Sequence, residues 1–227
     1  MRLAALFSGG KDSTYTIHQA REAGHDVRYL ISFVSENPDS YMFHHPNIEL
    51  TQLLAESMGI ELLLIHTKGE KEKELLDIQK ALKMVRDDID GVAAGALASH
   101  YQYDRVKAIC DTLHLGTFTP SWQRSMDNYW EELLAHGFKI IITRVACDGL
   151  TQEWLGREIT PSSLQKLKSL SSKFHFHLGG EGGEFETLVL DCPLYHKGLK
   201  ILHANKIWSE DTGVYNILKA ELVDKHG

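Results

Sequence analysis

Apolar and polar positions in the first half of the chain alternate between short runs and longer periodic stretches. Leu3–Phe7 is a short apolar run followed by turn residues, and it predicts a strand. Ser13–Ala23 reads as a helix closed by Gly24, and Val27–Val34 as a second strand. Asn47–Met58 has apolar residues at helical spacing (Ile48, Leu50, Leu53, Leu54, Met58) and stops at Gly59. Leu62–His66 predicts a third strand, Glu72–Val85 a charged amphipathic helix, Gly91–Ala94 a fourth strand and Tyr103–His114 a helix ending at Gly116. This alternation, with short Gly-closed links, predicts an α/β fold: a doubly wound parallel sheet with helices on both faces. Ligands of such sheets sit outside the carboxyl ends of the strands, so chemical motifs are expected just after strands.

The pattern changes near Thr119-Pro120-Ser121-Trp122. A helix (Met126–His136), a strand (Phe138–Val145) and a helix (Pro161–Lys173) precede strands at Thr187–Asp191, Lys200–Ile207 and Tyr215–Val223. This predicts a smaller α+β C-terminal domain. A boundary around residues 118–125 divides the chain into 1–120 and 121–227. No Gly/Ser-rich linker separates the halves, so they are expected to pack closely.

Composition removes several classes. The 227 residues are 43% hydrophobic and 24% charged, ordinary for a globular chain and neither disordered nor collagen-like. The longest apolar runs fall far short of the roughly 20 residues of a membrane helix. Met1–Phe7 leads straight into a polar motif and lacks the features of a signal peptide. The net charge of -7 argues against direct nucleic-acid contact, which usually needs a basic surface. Cys110, Cys147 and Cys192 are odd in number, far apart and without a CxxC pair. They indicate neither a disulfide framework nor a zinc or iron–sulfur site, and they fit a reducing cytoplasm. Among 13 His only His44-His45 and His175/His177 cluster, and neither pair has partners at metal-ligand spacing. Trp122, Trp130 and Trp154 read as core or interface.

Ser8-Gly9-Gly10-Lys11-Asp12-Ser13 follows the first strand and opens the first helix. Two glycines let backbone approach an anion closely. Helix N-terminal amides and the helix dipole favour negative charge there. Lys11 adds a full positive charge, and Ser8 and Ser13 offer hydroxyls. Asp12 fits beside an anion through a magnesium ion or as a helix cap. The spacing is neither G-x-x-x-x-G-K-[ST] nor G-x-G-x-x-G. The string resembles the pyrophosphate loop (PP-loop) of the N-type ATP pyrophosphatases, whose members cleave ATP between its α and β phosphates while adenylating an oxygen. The group includes amide-forming ligases, tRNA-modifying enzymes and, more distantly, adenylylsulfate reductases.

Three more segments carry chemistry. Ser35–His44 follows the second strand at the sheet edge where a base would lie, and Tyr41 and His44 are candidates to line that pocket. Gly95–Arg105 follows the fourth strand. There Gly95 and Ala96 permit close approach to a nucleotide, Ser99, Tyr101 and Gln102 fall on the first helical turns, and Arg105 is a bidentate partner for phosphate or carboxylate. Gly179-Gly180-Glu181-Gly182-Gly183-Glu184-Phe185-Glu186-Thr187 precedes a strand in the second half. Its glycines allow a tight fold around a ligand, and on an extended segment Glu184 and Glu186 would share one face. Glu181, Glu184 and Glu186 have three open readings: magnesium ligands, attraction of ammonium, or a base that takes a proton from it.

Together with the loop, and with Leu155-Gly156-Arg157 and Asp191-Cys192-Pro193, these segments resemble in order, over essentially the whole chain, the diphthine–ammonia ligase family. One departure is Pro120-Ser121-Trp122-Gln123, where the family tends to have Pro-Leu-Trp or Pro-Ala-Trp followed by Gly. The resemblance implies a sheet domain of the adenine nucleotide alpha hydrolase-like HUP type. It implies ATP-dependent amidation of diphthine on translation elongation factor two through an acyl-adenylate, with release of AMP and pyrophosphate. ATP is then a substrate and Mg2+ its companion. It implies Lys11, Asp12, Glu181, Glu184 and Glu186 as catalytic, residues 8–13 with Gly95 and Ala96 as ATP-binding, and Tyr41, His44, Ser99, Tyr101, Gln102, Arg105, Gly182, Gly183 and Thr187 as substrate-binding. Magnesium ligands are not assigned. Without an N-terminal Cys nucleophile, free ammonium is the expected nitrogen donor. The expected partners are the elongation factor and no membrane, and a homodimer stays open. The alternative is another PP-loop enzyme, a tRNA-modifying or small-molecule amide ligase. The unpaired cysteines argue against its thiolating branch.

Overall fold

The short apolar runs of the first half become five parallel strands: β1 (Arg2–Leu6), β2 (Asp26–Ser35), β3 (Glu61–Thr67), β4 (Gly91–Ala93) and β5 (Gly116–Phe118). The computed structural model describes residues 1–36, 47–69, 73–95, 100–121 and 124–225. Helices α1 (Lys11–Glu22), α2 (Thr51–Met58), α3 (Lys73–Met84) and α4 (His100–Thr112) connect the strands. The spatial order is β3-β2-β1-β4-β5. Leu3, Ala5 and Phe7 pack with Ile17 of α1 and Leu54 of α2, whereas Ala4 packs with Ile78 and Leu82 of α3 and Val106 of α4. Both faces of β1 are covered, which is why it reads as a continuous apolar run. The sheet is doubly wound as expected. The chain builds outward from β1 through β2 to β3, then crosses to place β4 on the other side of β1. The carboxyl ends of β1 and β4 therefore flank a topological switch point.

The second half contributes α5 (Met126–Ala135), β6 (Lys139–Val145), α6 (Pro161–Phe174), β7 (Phe185–Asp191), β8 (Lys197–Ser209) and β9 (Thr212–Asp224). Its antiparallel sheet runs β7-β6-β9-β8. Tyr129, Trp130, Ile140, Ile142 and Leu188 share one buried cluster with Leu3, Ile17 and Leu54, so the second sheet packs on the α1–α2 side of the first. Trp130 and Trp154 are fully buried, matching the core reading.

Three elements depart from the expectation. The helix predicted over Asn47–Met58 begins as a 3-10 turn at Ile48–Leu50. Asn47 is left-handed, and its side-chain amide bonds the Tyr215 carbonyl and the Ile217 amide at 3.0 and 2.8 Å instead of joining the helix. Strand β5 (Gly116–Phe118) has no counterpart in the sequence pattern, where Gly116 reads only as a helix end, because three residues are too few to show a period. The β8–β9 hairpin is longer than predicted: it adds residues 197–199, 208–209, 212–214 and 224, where Gly198, Gly213 and four exposed polar residues interrupt the apolar pattern.

Candidate functional site

A cavity of about 250 Å³ opens at the carboxyl ends of β1 and β4, at the switch point. Ser8, Gly10, Lys11, Asp12 and Ser13 line it from the first sheet, together with Gly95, Thr117 and Thr119. Gly179, Gly180, Glu181, Glu186 and Thr187 line it from the second half, and Ile31, Phe33, Ile78, Val92 and Val106 give it an apolar wall.

The loop after β1 closes on itself through short polar bonds. The Ser13 hydroxyl accepts the Ser8 amide at 3.2 Å and donates to the Gly10 carbonyl at 3.2 Å. Helix α1 starts within the motif, at Lys11, with Gly10 as an N-cap that supplies no side-chain bond. The capping role considered for Asp12 is therefore corrected: Asp12 lies inside the first turn. Gly9 has φ 78, and a Cβ there would come within 2.9 Å of Leu54 Cδ1. Gly95 is packed still more tightly, since a Cβ would lie 2.6 Å from the Asp12 backbone and 2.7 Å from the Ser13 amide nitrogen. Its missing side chain lets β4 end against the first turn of α1, a tighter constraint than room for a nucleotide.

The second half grips this loop along its length. The Val189 amide donates to the Gly9 carbonyl at 3.0 Å, and the Lys11 amide donates to Thr187 Oγ1 at 3.1 Å across 176 residues. Lys11 is 2% exposed. Its Nζ donates to Asp12 Oδ2 at 2.8 Å and to the Gly179 carbonyl at 2.6 Å, and it lies 5.6 Å from the Trp130 ring and 5.7 Å from the Phe185 ring. The other Asp12 oxygen accepts the Tyr129 hydroxyl at 2.7 Å. Burial, then the Asp12 carboxylate beside it, hold the Tyr129 hydroxyl well above its ordinary pKa, so it remains a donor. An ammonium and a phenol together hold the Asp12 carboxylate within the loop after β1.

The three glutamates separate in space. Glu184 precedes β7 and faces its own loop, where its carboxylate accepts the His177 amide at 2.9 Å and the Gly182 amide at 2.8 Å. The shared face expected for Glu184 and Glu186 is not formed. Glu186, on β7, lines the cavity and pairs with Arg144 at 3.5 Å, and Glu181 lines it as well. Gly182 and Gly183 shape the loop without lining the cavity, whereas Thr187 does line it. Arg105 is half-buried on α4 and does not line the cavity, while Tyr103, Val106 and Lys107 of that helix do. Tyr41, His44, Ala96, Ser99 and Trp122 lie outside the described residues, as do the side chains of Tyr101 and Gln102. Tyr129 carried no signal beyond an apolar helical position, and Gly179 none beyond its place in a glycine run.

All three cysteines are free. Burial pushes the Cys110 and Cys147 thiols up to about 11 and that of Cys192 to about 12. A reactive thiol needs a lowered pKa, so none of the three suits sulfur transfer.

Two family models match the chain in succession. The diphthamide synthase N-terminal domain matches residues 1–117 and the diphthamide synthase C-terminal domain residues 125–223. The chain belongs to the diphthamide synthase family. A diphthine–ammonia ligase of Mus musculus is 35% identical over 223 residues, covering 88% of this chain and 83% of the relative. A diphthine–ammonia ligase of Schizosaccharomyces pombe is 31% identical over 97% of this chain and 39% of the longer relative. The diphthamide synthase family is thus one of C–N bond-forming ligases. A solved structure of a predicted subunit of tRNA methyltransferase from Methanocaldococcus jannaschii covers 85% of this chain and 98% of its own at 14% identity, with a TM-score of 0.46. Among the described residues no helix is long and apolar enough to cross a membrane.

Proposed function

We propose that this diphthamide synthase family member amidates diphthine to diphthamide on translation elongation factor two, using ATP and ammonium in the cytoplasm. The supporting observation is the cavity at the switch point, where the phosphate loop and the Gly-Glu loop of the two matched domains meet on Lys11. In this reading residues 1–120 bind ATP and residues 121–227 complete the substrate site.

A carboxylate resists amidation because its oxygen is a poor leaving group. Attack of the diphthine carboxylate on the α phosphate forms an acyl-adenylate and releases pyrophosphate. Ammonia then attacks the acyl carbon and AMP departs. Charge that builds on the pyrophosphate faces the amides of the first α1 turn and the Lys11 ammonium, both already oriented. Thr187 holds the Lys11 amide in register, and the apolar wall of Ile31, Phe33 and Val92 suits a base. The carboxylates of Glu181 and Glu186 are hard oxygen donors of the kind Mg2+ takes, and the ion would neutralise phosphate charge. In the same reading Glu181, which lines the cavity, attracts ammonium and takes its proton. Glu184 serves the loop rather than the substrate.

The test is direct. The chain, ATP, ammonium and diphthine-bearing elongation factor should give AMP, pyrophosphate and diphthamide in equal amounts. ADP and phosphate as products would overturn the proposal.

A further inference from the structure

Away from the cavity, α1 carries His18 and Glu22 one turn apart, and the end of α5 brings His136 beside them. His18 Nε2 lies 3.4 Å and His136 Nε2 3.8 Å from the same Glu22 oxygen, and the three candidate donor atoms all lie within 4.8 Å of one another. In a tetrahedral site with bonds of about 2.0–2.1 Å, ligand atoms stand about 3.3 Å apart, so a small side-chain rotation suffices to surround one ion. Glu22 is 55% exposed and free to make that adjustment.

Two further observations point to a ligand. The His18 side chain is only 10% exposed, yet its Nε2 has no hydrogen-bond partner among the described residues. Its approach to Glu22 is an ion-pair distance without hydrogen-bond geometry. His136 Nδ1 lies 2.7 Å from the Glu132 carbonyl. A carbonyl only accepts, so Nδ1 carries a proton, and in the neutral ring Nε2 is the nitrogen whose lone pair is left for the cluster. This is the outer hydrogen bond that ligating imidazoles commonly make. The rings of His18 and His136 are 4.9 Å apart, and Tyr15 and Phe138 pack against them to shield the inner side.

We infer that His18, Glu22 and His136 form a binding site for one divalent transition-metal ion of the zinc class, with a remaining position taken by water. Two imidazoles select such ions over Mg2+, which takes oxygen ligands. The site is separate from the cavity, and none of its three residues lines it. The ion would join α1, which begins in the phosphate loop at Lys11, to α5, which carries Tyr129, the donor that holds Asp12. Its role is positioning, and it stands whether or not the amidation proposal does.

The experiment uses the full chain stripped of metal with a chelator, without ATP. Co2+ added to one equivalent should give the visible absorption of a four- or five-coordinate ion, and Zn2+ should displace it. Zn2+ should raise the thermal midpoint, and Mg2+ at the same concentration should not. Glu22→Gln and His136→Gln, both at partly or fully exposed positions, should keep the metal-free midpoint and weaken Co2+ binding by at least about 10- to 100-fold. Absence of the Co2+ spectrum, binding unchanged in both variants, or an equal shift with Mg2+ would each overturn the assignment.

Discussion

The loops at residues 8–13 and 177–184 are both rich in glycine and meet at the Lys11 ammonium, but their glycines serve different ends. In the first loop, Gly9 and its neighbour Gly95 make room for other parts of the chain, with Leu54 and the α1 backbone in the space a Cβ would fill. In the second, Gly180 and Gly183 turn the chain at φ 75 and 81, while Glu184 takes up two of its amides. The first loop presents the N-terminus of α1 to the cavity. The second spends one carboxylate on its own shape and sends Glu181 and Glu186 to the cavity. Residues that bind and residues that hold the binders look alike in a motif and separate only once their bonds are known.

The most severe break is at the junction itself. Lys11→Met should lower the rate of AMP formation by about 10²–10³-fold, as loss of one oriented donor to developing charge does. Single-turnover assays with saturating ATP measure this, and a loss under tenfold would remove Lys11 from the chemistry.

Gly95→Ala tests the close approach of β4 to α1. Forcing a Cβ against fixed backbone should cost about 1–3 kcal/mol, read from the urea midpoint. Gly24→Ala, where a Cβ meets nothing within 4 Å although φ is 75, should cost less and leave ATP binding intact.

The glutamates sharpen the contrast further. Glu184→Gln replaces one acceptor with an NH2 group facing a backbone amide, and should cost about 1–2 kcal/mol of stability with a modest fall in kcat. Glu181→Gln should cost less stability than Glu184→Gln and lower kcat more. Equal effects on both quantities in both variants would erase the distinction.

The smallest effect is at alkaline pH. Folded thiol values of about 11 for Cys110 and about 12 for Cys192 lie above the ordinary value of about 8.5. The stability these neutral thiols contribute is full below about pH 8.5 and is lost as pH rises from there toward the folded values. Thermal midpoints should hold level near neutrality and fall above about pH 9. A thiol reagent at pH 8 should reach Cys110 and Cys192 only after denaturation.

Much of the first half is legible because it is built from short-range rules. A strand covered on both faces must be apolar throughout, and a helix opening on Gly-Gly-Lys-Asp-Ser must follow a turn, so β1, α1 and the phosphate loop could be read from local pattern. Boundaries are hardest to read where pattern is absent: β5 has three residues, and the ends of β8 and β9 mix glycine with exposed polar residues. Within the site, Lys11 and the Gly-Glu segment were visible as residue types. The Thr187 bond to the Lys11 amide, the Tyr129 clamp on Asp12 and the use of Glu184 as a brace were not, because each joins residues by contact rather than spacing. His18 and Glu22 sit at a visible i, i+4 spacing, but their third partner, His136, comes from another helix.

The amino-acid order by itself determined the parallel α/β half, the glycine loop between β1 and α1 and the candidate residues of the cavity, since backbone preference and apolar periodicity act over a few residues. Which carboxylates face the cavity, and which groups hold the buried ammonium, was decided by how the antiparallel sheet packs on the parallel one. That packing brings together side chains more than a hundred residues apart, and only the folded chain sets their distances and their exposure to water.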